Sequence, residues 1–377
     1  MKVRYSYLPQ QFEDCEDLWS DLRDFVSTGD FTLGEPLTRF EESFAKLIGT
    51  KYAIGVNSGT DAIKLSLKAL NIGPGDEIIT AANTFVATVG AICELGATPV
   101  FVDCNDTFCI DTSLIEAKIT EKTKAFLPVH YTGYMTDMRV MNQISEKYNI
   151  PVIEDACQSI LGAIDAKNAG TWGKAGAFSL HPLKNINVWS DGGVIVTDDN
   201  ELYKTLRLLR NHGFENRDTV VMMGCNSRLD TIQAVVGNWI LPQAKSISDK
   251  RIGNANYLDN GLQQINEISI PPRPKDFRLV FHLYIVFAKD RDGLLKYCLE
   301  KGISAKIHYP IPIYKQTALN YLGYKEGDFP VTDEHVEKII TFPCDQHLEQ
   351  GQFCLLYTSD AADDSLRVDL GGRRIIK

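Results

Sequence analysis

Paired cysteines are missing first. The chain has nine cysteines in 377 residues, yet none stands in a CxxC spacing, and Cys104 with Cys109 has no companion ligands. That pattern excludes a structural zinc framework and a disulfide scaffold, leaving reduced core thiols and no metal site. Positive charge is also short: 39 Lys and Arg against 49 Asp and Glu give a net charge of −10. A general nucleic-acid or anionic-membrane binder is thereby excluded, although local basic groups can still serve an anionic small substrate. No apolar run reaches the ~20 residues a membrane span needs. The start, MKVRYSYLPQQFEDCEDLW, has no apolar signal core and turns acidic early, so the expectation is a cytoplasmic protein. Internal repeats and low-complexity linkers are absent as well.

What is present is an ordinary globular composition, 44% hydrophobic and 23% charged, in a chain long enough for two domains. From Lys51 to about Asp198 short strands (YAIGVN, EIIT, TPVFVD, AFLPVH, PVIED, GAFSL, GGVIVTD) alternate with helical periods at Asp61–Leu70, Phe85–Leu95, Ser113–Lys118 and Met138–Tyr148. Such alternation predicts an α/β fold with a mainly parallel central sheet covered on both faces. Ligands on such sheets sit at the carboxyl ends of strands. Further helices are predicted over Asp199–Arg210 and Leu229 to about Ile247, the second leading into a smaller C-terminal α/β domain. That domain holds the strand-like VFHLYIVFA and a helix over Arg291–Lys301. The expected division is an N-terminal segment plus large domain over 1–245 and a small domain over 246–353.

Chemistry concentrates in a few of these motifs. GAFSLHPLKNINVWSDGG sets Lys184 after a short apolar strand, and upstream PVIEDACQS ends a buried strand in Glu154 and Asp155. A pyridoxal phosphate enzyme needs a lysine to form the Schiff base and a carboxylate to keep the pyridine nitrogen protonated. Taken alone, Lys184 also fits a solvated loop lysine. An unpaired carboxylate at Asp155 would cost several kcal/mol, so it needs a cationic partner. The strand ending in Asn57-Ser58-Gly59-Thr60 leads into a helix whose first free amides suit a phosphate, or is an ordinary Ser/Thr cap. It is not a P-loop, because the GxxxxGK[ST] spacing is absent. Phe85 of AANTFVAT stacks on a cofactor ring or belongs to the core. Gln158 stands three residues beyond Asp155, and Ser179, at the end of GAFSL, is a second phosphate candidate with His181 following.

The ordered set SGTDA, NTFVAT, GATPVFVD, EDACQS, FSLHPLKN, DGGVIVT, LRNHG and GCNSRLDTIQA resembles the sugar aminotransferases of the DegT/DnrJ/EryC1/StrS family, over Tyr5 to Phe353. The resemblance implies the type I, aspartate-aminotransferase-like fold and pyridoxal 5'-phosphate as cofactor. It implies that Lys184 carries the cofactor, that Asp155 pairs with its ring nitrogen, and that Gly59, Thr60 and Ser179 hold its phosphate, with Ser58 also among the cofactor-binding residues. Phe85 and Gln158 would flank the ring. It further implies a homodimer with shared active sites, in which Asn226 reaches the neighbouring subunit's phosphate with Arg228 nearby. His308 and Tyr309 of KIHYPIPIY would border the sugar pocket, with His181 and Trp189 also on the substrate side. The partners implied are a keto or aldehydo sugar, nucleotide-linked, and an amino-acid donor such as glutamate.

Many members that aminate C4 carry a compact KxxTTGEGG segment after the lysine. Here KNINVWSDGG is one residue longer and carries Trp189 and Asp191, as in the branch aminating 3-keto sugars and in enzymes aminating the C8 aldehyde of an oxidised octulosonate for lipopolysaccharide. Lys184 argues against the dehydrating branch, which has histidine there. A non-catalytic cofactor- or sugar-binding sensor on the same fold is the competing class. From Cys354 the text CLLYTSDAADDSLRVDLGGRRIIK changes character and resembles a translated sequencing adapter, so 354–377 is expected to be non-native and the native chain truncated near Phe353.

Overall fold

A computed structural model describes residues 2–349 and 351–352 of the chain. The adapter-like segment and the expected truncation near Phe353 lie outside the described residues.

The alternating stretch forms one twisted sheet from β1 (Tyr52–Val56), β2 (Glu77–Ala81), β3 (Thr98–Val102), β4 (Thr123–Leu127), β5 (Ile153–Asp155), β6 (Ala175–Ser179) and β7 (Gly193–Thr197). Hydrogen bonding orders them β1-β7-β6-β5 and β3-β2-β4. Parallel bridges Phe126 to Val152 and Val129 to Asp155 join the two halves. Only β7 runs against its neighbours β1 and β6. The sheet is therefore mainly parallel, with one reversed strand.

Both faces are covered, and the period-2 alternation of strands shows which residues serve each. Ile79, Phe126, Phe178, Val194 and Val196 enter one core cluster, whereas Ile78, Ala125, Leu127, Ala177 and Ile195 enter the other. Helices α1 (Glu16–Thr28), α2 (Glu35–Ile48), α3 (Gly59–Ala69), α4 (Val86–Glu94), α5 (Met138–Tyr148) and α6 (Asn200–Leu209) accompany the sheet. Helices α1 and α2 end at Gly29 (φ 70°) and Gly49 (φ 91°), left-handed positions that glycine adopts without steric cost.

Two expectations are corrected. Ser113–Lys118 is not a continuous helix but two 3-10 turns, Thr112–Leu114 and Glu116–Lys118, the first capped by the Asp111 side chain. The single helix over 229–247 is instead α7 (Thr231–Ile240), a 3-10 turn Leu241–Gln243, and α8 (Ala244–Leu262). Pro242 has no amide to donate to the preceding turn, and the α-helical pattern gives way to a 3-10 turn there. The expected division after residue 245 falls in the first turn of α8.

Beyond α8 an antiparallel sheet, β8 (Ile268–Ser269), β9 (Tyr284–Ala288) and β10 (Ile339–Phe342), packs with α9 (Arg291–Glu300) and α10 (Pro330–Lys338). Its core takes in Val3 and Tyr7 from the start of the chain. Val3 adds itself beside Ile303 through its amide to the Gly302 carbonyl (3.0 Å) and its carbonyl to the Ser304 amide (2.9 Å). Among the described residues no helix is long and apolar enough to cross a membrane.

Candidate active site

At the carboxyl ends of β1, β5 and β6 lies a cavity of about 300 Å³. Ser58, Gly59 and Thr60 line it from the start of α3, Phe85 from the start of α4, and Asp155 and Gln158 from the end of β5. Ser179, His181 and Lys184 line it from the loop after β6, and His308 and Tyr309 from the C-terminal part. The cavity thus brings together eleven residues singled out from the sequence.

The adjacent carboxylates at the end of β5 divide their work, because successive strand residues point to opposite faces. Glu154 is fully buried and accepts from the amides of Gly170 (2.8 Å), Trp172 (2.7 Å) and Gly173 (2.8 Å). Its Oε2 also meets His130 Nε2 at 2.9 Å, while His130 Nδ1 accepts from the Thr136 amide (3.3 Å), so Nε2 carries the proton. Glu154 is thereby fully occupied in shaping the 170–173 loop.

Asp155 faces the cavity. Its Oδ2 accepts from the Thr88 hydroxyl (2.7 Å) and its Oδ1 from the Cys157 amide (3.2 Å). Since Thr88 spends its one proton on Asp155, the 2.7 Å contact between Thr84 and Thr88 is donated by Thr84. Among the described residues no lysine or arginine lies within ion-pair distance of Asp155, which is buried at 5% exposure. Two neutral donors leave this carboxylate without a cation, and a protonated pyridine nitrogen would supply one.

Lys184 is held by a tight turn in which its amide donates to the His181 carbonyl (2.8 Å) and the Leu183 amide to His181 Nδ1 (3.2 Å). The loop is closed at its base by the Leu180 amide to the Gly192 carbonyl (2.8 Å). Asn185 Nδ2 pins it to the Val280 carbonyl (3.1 Å) and Asn187 Nδ2 to Gln11 (3.1 Å). Burial lowers the Lys184 pKa from its ordinary value, with Cys157 and Asp155 pulling the other way. A larger share of free amine follows.

The phosphate end has its own fit. The Ser58 hydroxyl caps α3 by accepting from the Asp61 amide (3.1 Å), and the first-turn amides of Gly59 and Thr60 have no partner within the helix. A Cβ on Gly59 would stand 2.7 Å from the Ser179 Cβ, and one on Gly193 only 2.2 Å from the Ser58 carbonyl oxygen. Glycine at both positions lets the helix start sit directly on the strand ends. These donors, the orphan carboxylate and the amine fit pyridoxal phosphate.

Another part of the cavity wall is aromatic. Gln158 Oε1 accepts from the Thr132 amide (2.7 Å), and its amide group donates toward Tyr309. Burial pushes the Tyr309 hydroxyl up to about 12. His308 Nδ1 meets the Thr341 hydroxyl at 2.9 Å, and its ring stacks on Tyr5 with centroids 5.7 Å apart. Desolvation first, then the charges of Lys306 and Lys184, bring His308 down to about 4. Phe85 and Tyr309 approach with centroids 5.7 Å apart.

Three singled-out residues are elsewhere. Trp189 packs on Phe12 and Trp19, with centroids 5.7 and 5.5 Å away, outside the cavity. Asn226 is exposed and bridged to Asn211, and Arg228 Nε donates to Asn211 (3.0 Å), both also outside the cavity. Their segment is tied to α3 because the Ser227 hydroxyl donates to Asp61 (2.7 Å). Conversely Tyr5, Thr84, Thr88, Cys157, His282 and Lys306 line the cavity without having been singled out. Thr88 lay inside AANTFVAT, one helical turn after Thr84, and Lys306 inside KIHYPIPIY.

The model of the DegT/DnrJ/EryC1/StrS aminotransferase family matches residues 13–354. A "pleiotropic regulatory protein" of Geobacillus stearothermophilus is 36% identical over 93% of this chain and 96% of its own. The dTDP-3-amino-3,4,6-trideoxy-alpha-D-glucose transaminase of Streptomyces venezuelae is 35% identical over 87% of this chain and 86% of its own. The crystal structure of S. venezuelae DesV with a ketimine intermediate superposes with a TM-score of 0.92, at 33% identity, covering 94% of this chain and 96% of that one.

Proposed function

Because the chain belongs to the DegT/DnrJ/EryC1/StrS aminotransferase family and uses pyridoxal phosphate, we propose that it moves an amino group from glutamate to the 3-keto position of a nucleotide-linked deoxysugar. The observation that carries this reading is the convergence of Lys184, the cation-less Asp155 and the α3 N-terminus on one cavity.

In this reading Asp155 holds the ring nitrogen, while the Gly59 and Thr60 amides and the Ser58 and Ser179 hydroxyls hold the phosphate. Phe85 and Gln158 flank the ring. When bound, pyridoxal phosphate supplies an electron sink for charge developing at the substrate carbon. Lys184 Nζ would hold the cofactor and, as general base and then general acid, would take the proton from the substrate carbon and deliver it to the cofactor side, not back to the carbon it left. Its lowered pKa keeps the amine available for both tasks. The buried Thr84-Thr88-Asp155 chain orients the carboxylate and keeps water from it. His308, Tyr309 and His181 border the sugar. Used in turn by donor and acceptor, one site gives ping-pong kinetics.

Asn226 and Arg228, outside their own chain's cavity, would serve that of a second copy in a homodimer with shared sites. Trp189, packed on Phe12 and Trp19, would act on substrate choice by holding the loop after Lys184. The setting that fits is cytoplasmic synthesis of a cell-surface or antibiotic sugar.

The test is direct. The Lys184→Ala protein should keep its fold and dimer but lose the visible absorbance of the cofactor-loaded enzyme and at least a thousandfold in turnover. Mass spectrometry of a 3-keto nucleotide sugar incubated with glutamate should show oxygen replaced by an amine, and normal transamination by the alanine variant would sink the assignment. The relative named as a regulatory protein raises a second reading, a non-catalytic sensor. Cofactor binding without turnover of any keto sugar would favour it.

A further inference from the structure

Among the described residues, Lys184 and Lys306 are the lysines that line the cavity, and no arginine does. Lys184 cannot anchor an anion while it works as a free amine, so Lys306 is the fixed positive charge that remains. Its position is set by backbone: the Lys306 amide donates to the Thr341 carbonyl (3.0 Å) and the Thr341 amide to the Lys306 carbonyl (2.8 Å). Two residues on along the same extended run, His308 shares its face. Tyr5, brought in by the Val3 pairing, lies against both, with its ring stacked on His308 and the Lys306 Nζ 4.1 Å above its centroid.

An ammonium over a tyrosine face is attracted by the ring quadrupole, which orients it without neutralising it. Among the described residues no carboxylate stands within ion-pair distance of Lys306 Nζ. The carboxylates that line the cavity are Asp155, given to the ring nitrogen in the functional reading above, and Asp191. A preoriented cation on the wall of a cavity, free of a protein counter-ion, is half of a charge-assisted pair.

We propose that Lys306, seated on Tyr5, binds an oxyanion of a substrate and so selects for acidic substrates at this site. The proposal rests on the aminotransferase reading. Two sources carry the required chemistry: the carboxylates of the amino-acid donor and the diphosphate of the nucleotide-linked sugar. The pairing adds a specificity determinant beside Lys184.

Titration calorimetry on the cofactor-loaded protein with succinate as the dicarboxylate probe and dTDP as the diphosphate probe separates the sources. The loaded Lys306→Met protein should retain the visible absorbance of wild type, since Lys184 and Asp155 are untouched. For one probe its Kd should rise about tenfold, and Lys306→Arg should return to within about threefold of wild type. Wild-type binding of that probe should weaken with added salt, and the methionine variant should respond less. A rise confined to succinate assigns the donor carboxylate; one confined to dTDP assigns the sugar diphosphate. If wild type binds neither probe, or the methionine variant binds both as tightly as wild type, the proposal is overturned. If wild type acquires no visible absorbance with pyridoxal phosphate, the aminotransferase reading itself fails, and this proposal with it.

Discussion

Asp155 and Glu154 show how little the residue type says until neighbours are known. Both are buried carboxylates on one strand, yet Glu154 is saturated by three amides and a histidine while Asp155 keeps a site for a cation. The strand-end position of Asp155 was legible in PVIEDACQS, because an apolar run that closes on a carboxylate demands a partner. Its support by Thr88 was not, since the two meet across 67 positions of sequence. Trp189 illustrates the same gap: the flanking sequence shows a large aromatic after Lys184, but its partners Phe12 and Trp19 come from the far N-terminal part. Replacing Thr88 by valine keeps the shape and removes the donor. The Thr88→Val protein should release cofactor about tenfold more readily, read from the absorbance kept after dialysis, because Asp155 loses the hydrogen bond that orients it. Unchanged retention would show that burial alone fixes the carboxylate.

Strands and helices of the sheet were readable because their signals are local: β-branched runs, turn residues and a 3.6-residue period. Met138–Tyr148 emerges with the expected bounds, and Gly59–Ala69 is close to them. The 3-10 turns at 112–118 and the break at Pro242 departed from expectation, because a short polar period and a single proline were outvoted by their flanks. What no local signal gives is how closely α3 sits on β7. The Gly193→Ala change would force a methyl group against the Ser58 carbonyl, with backbone atoms of Ser58 and Gly59 all within 2.8 Å of it. Backbone cannot swing aside as a side-chain tip can, so the start of α3 must move. Stability should fall by about 1–3 kcal/mol in urea unfolding, and cofactor affinity should fall with it as the amides proposed to hold the phosphate shift. A variant with wild-type midpoint and affinity would refute that tight seating.

At the scale of the whole molecule three histidines contribute to sensitivity to acid. His282, His308 and His335 all lie below the ordinary histidine value of 6.5, in each case chiefly through desolvation, and His308 lies near 4. In the unfolded chain they would take up protons as pH falls through 6.5, while the folded chain does so only at lower pH. The unfolded state then binds more protons in that window, so stability is full above about pH 7 and declines toward pH 4. Urea midpoints should drop between pH 7.5 and 5, and His308→Gln should flatten that slope. An unchanged slope would mean that His308 is not kept neutral by the fold.

The pairing of Val3 with Ile303 has a consequence in time as well as in space. Tyr5 reaches the cavity wall only by way of that pairing, so residues made at the very start of synthesis wait for a partner made some three hundred positions later. Closing so long a loop comes late in folding. The sheet, the start of α3 and Lys184 lie within the first two hundred residues, whereas the cavity wall that carries Tyr5 depends on this long closure.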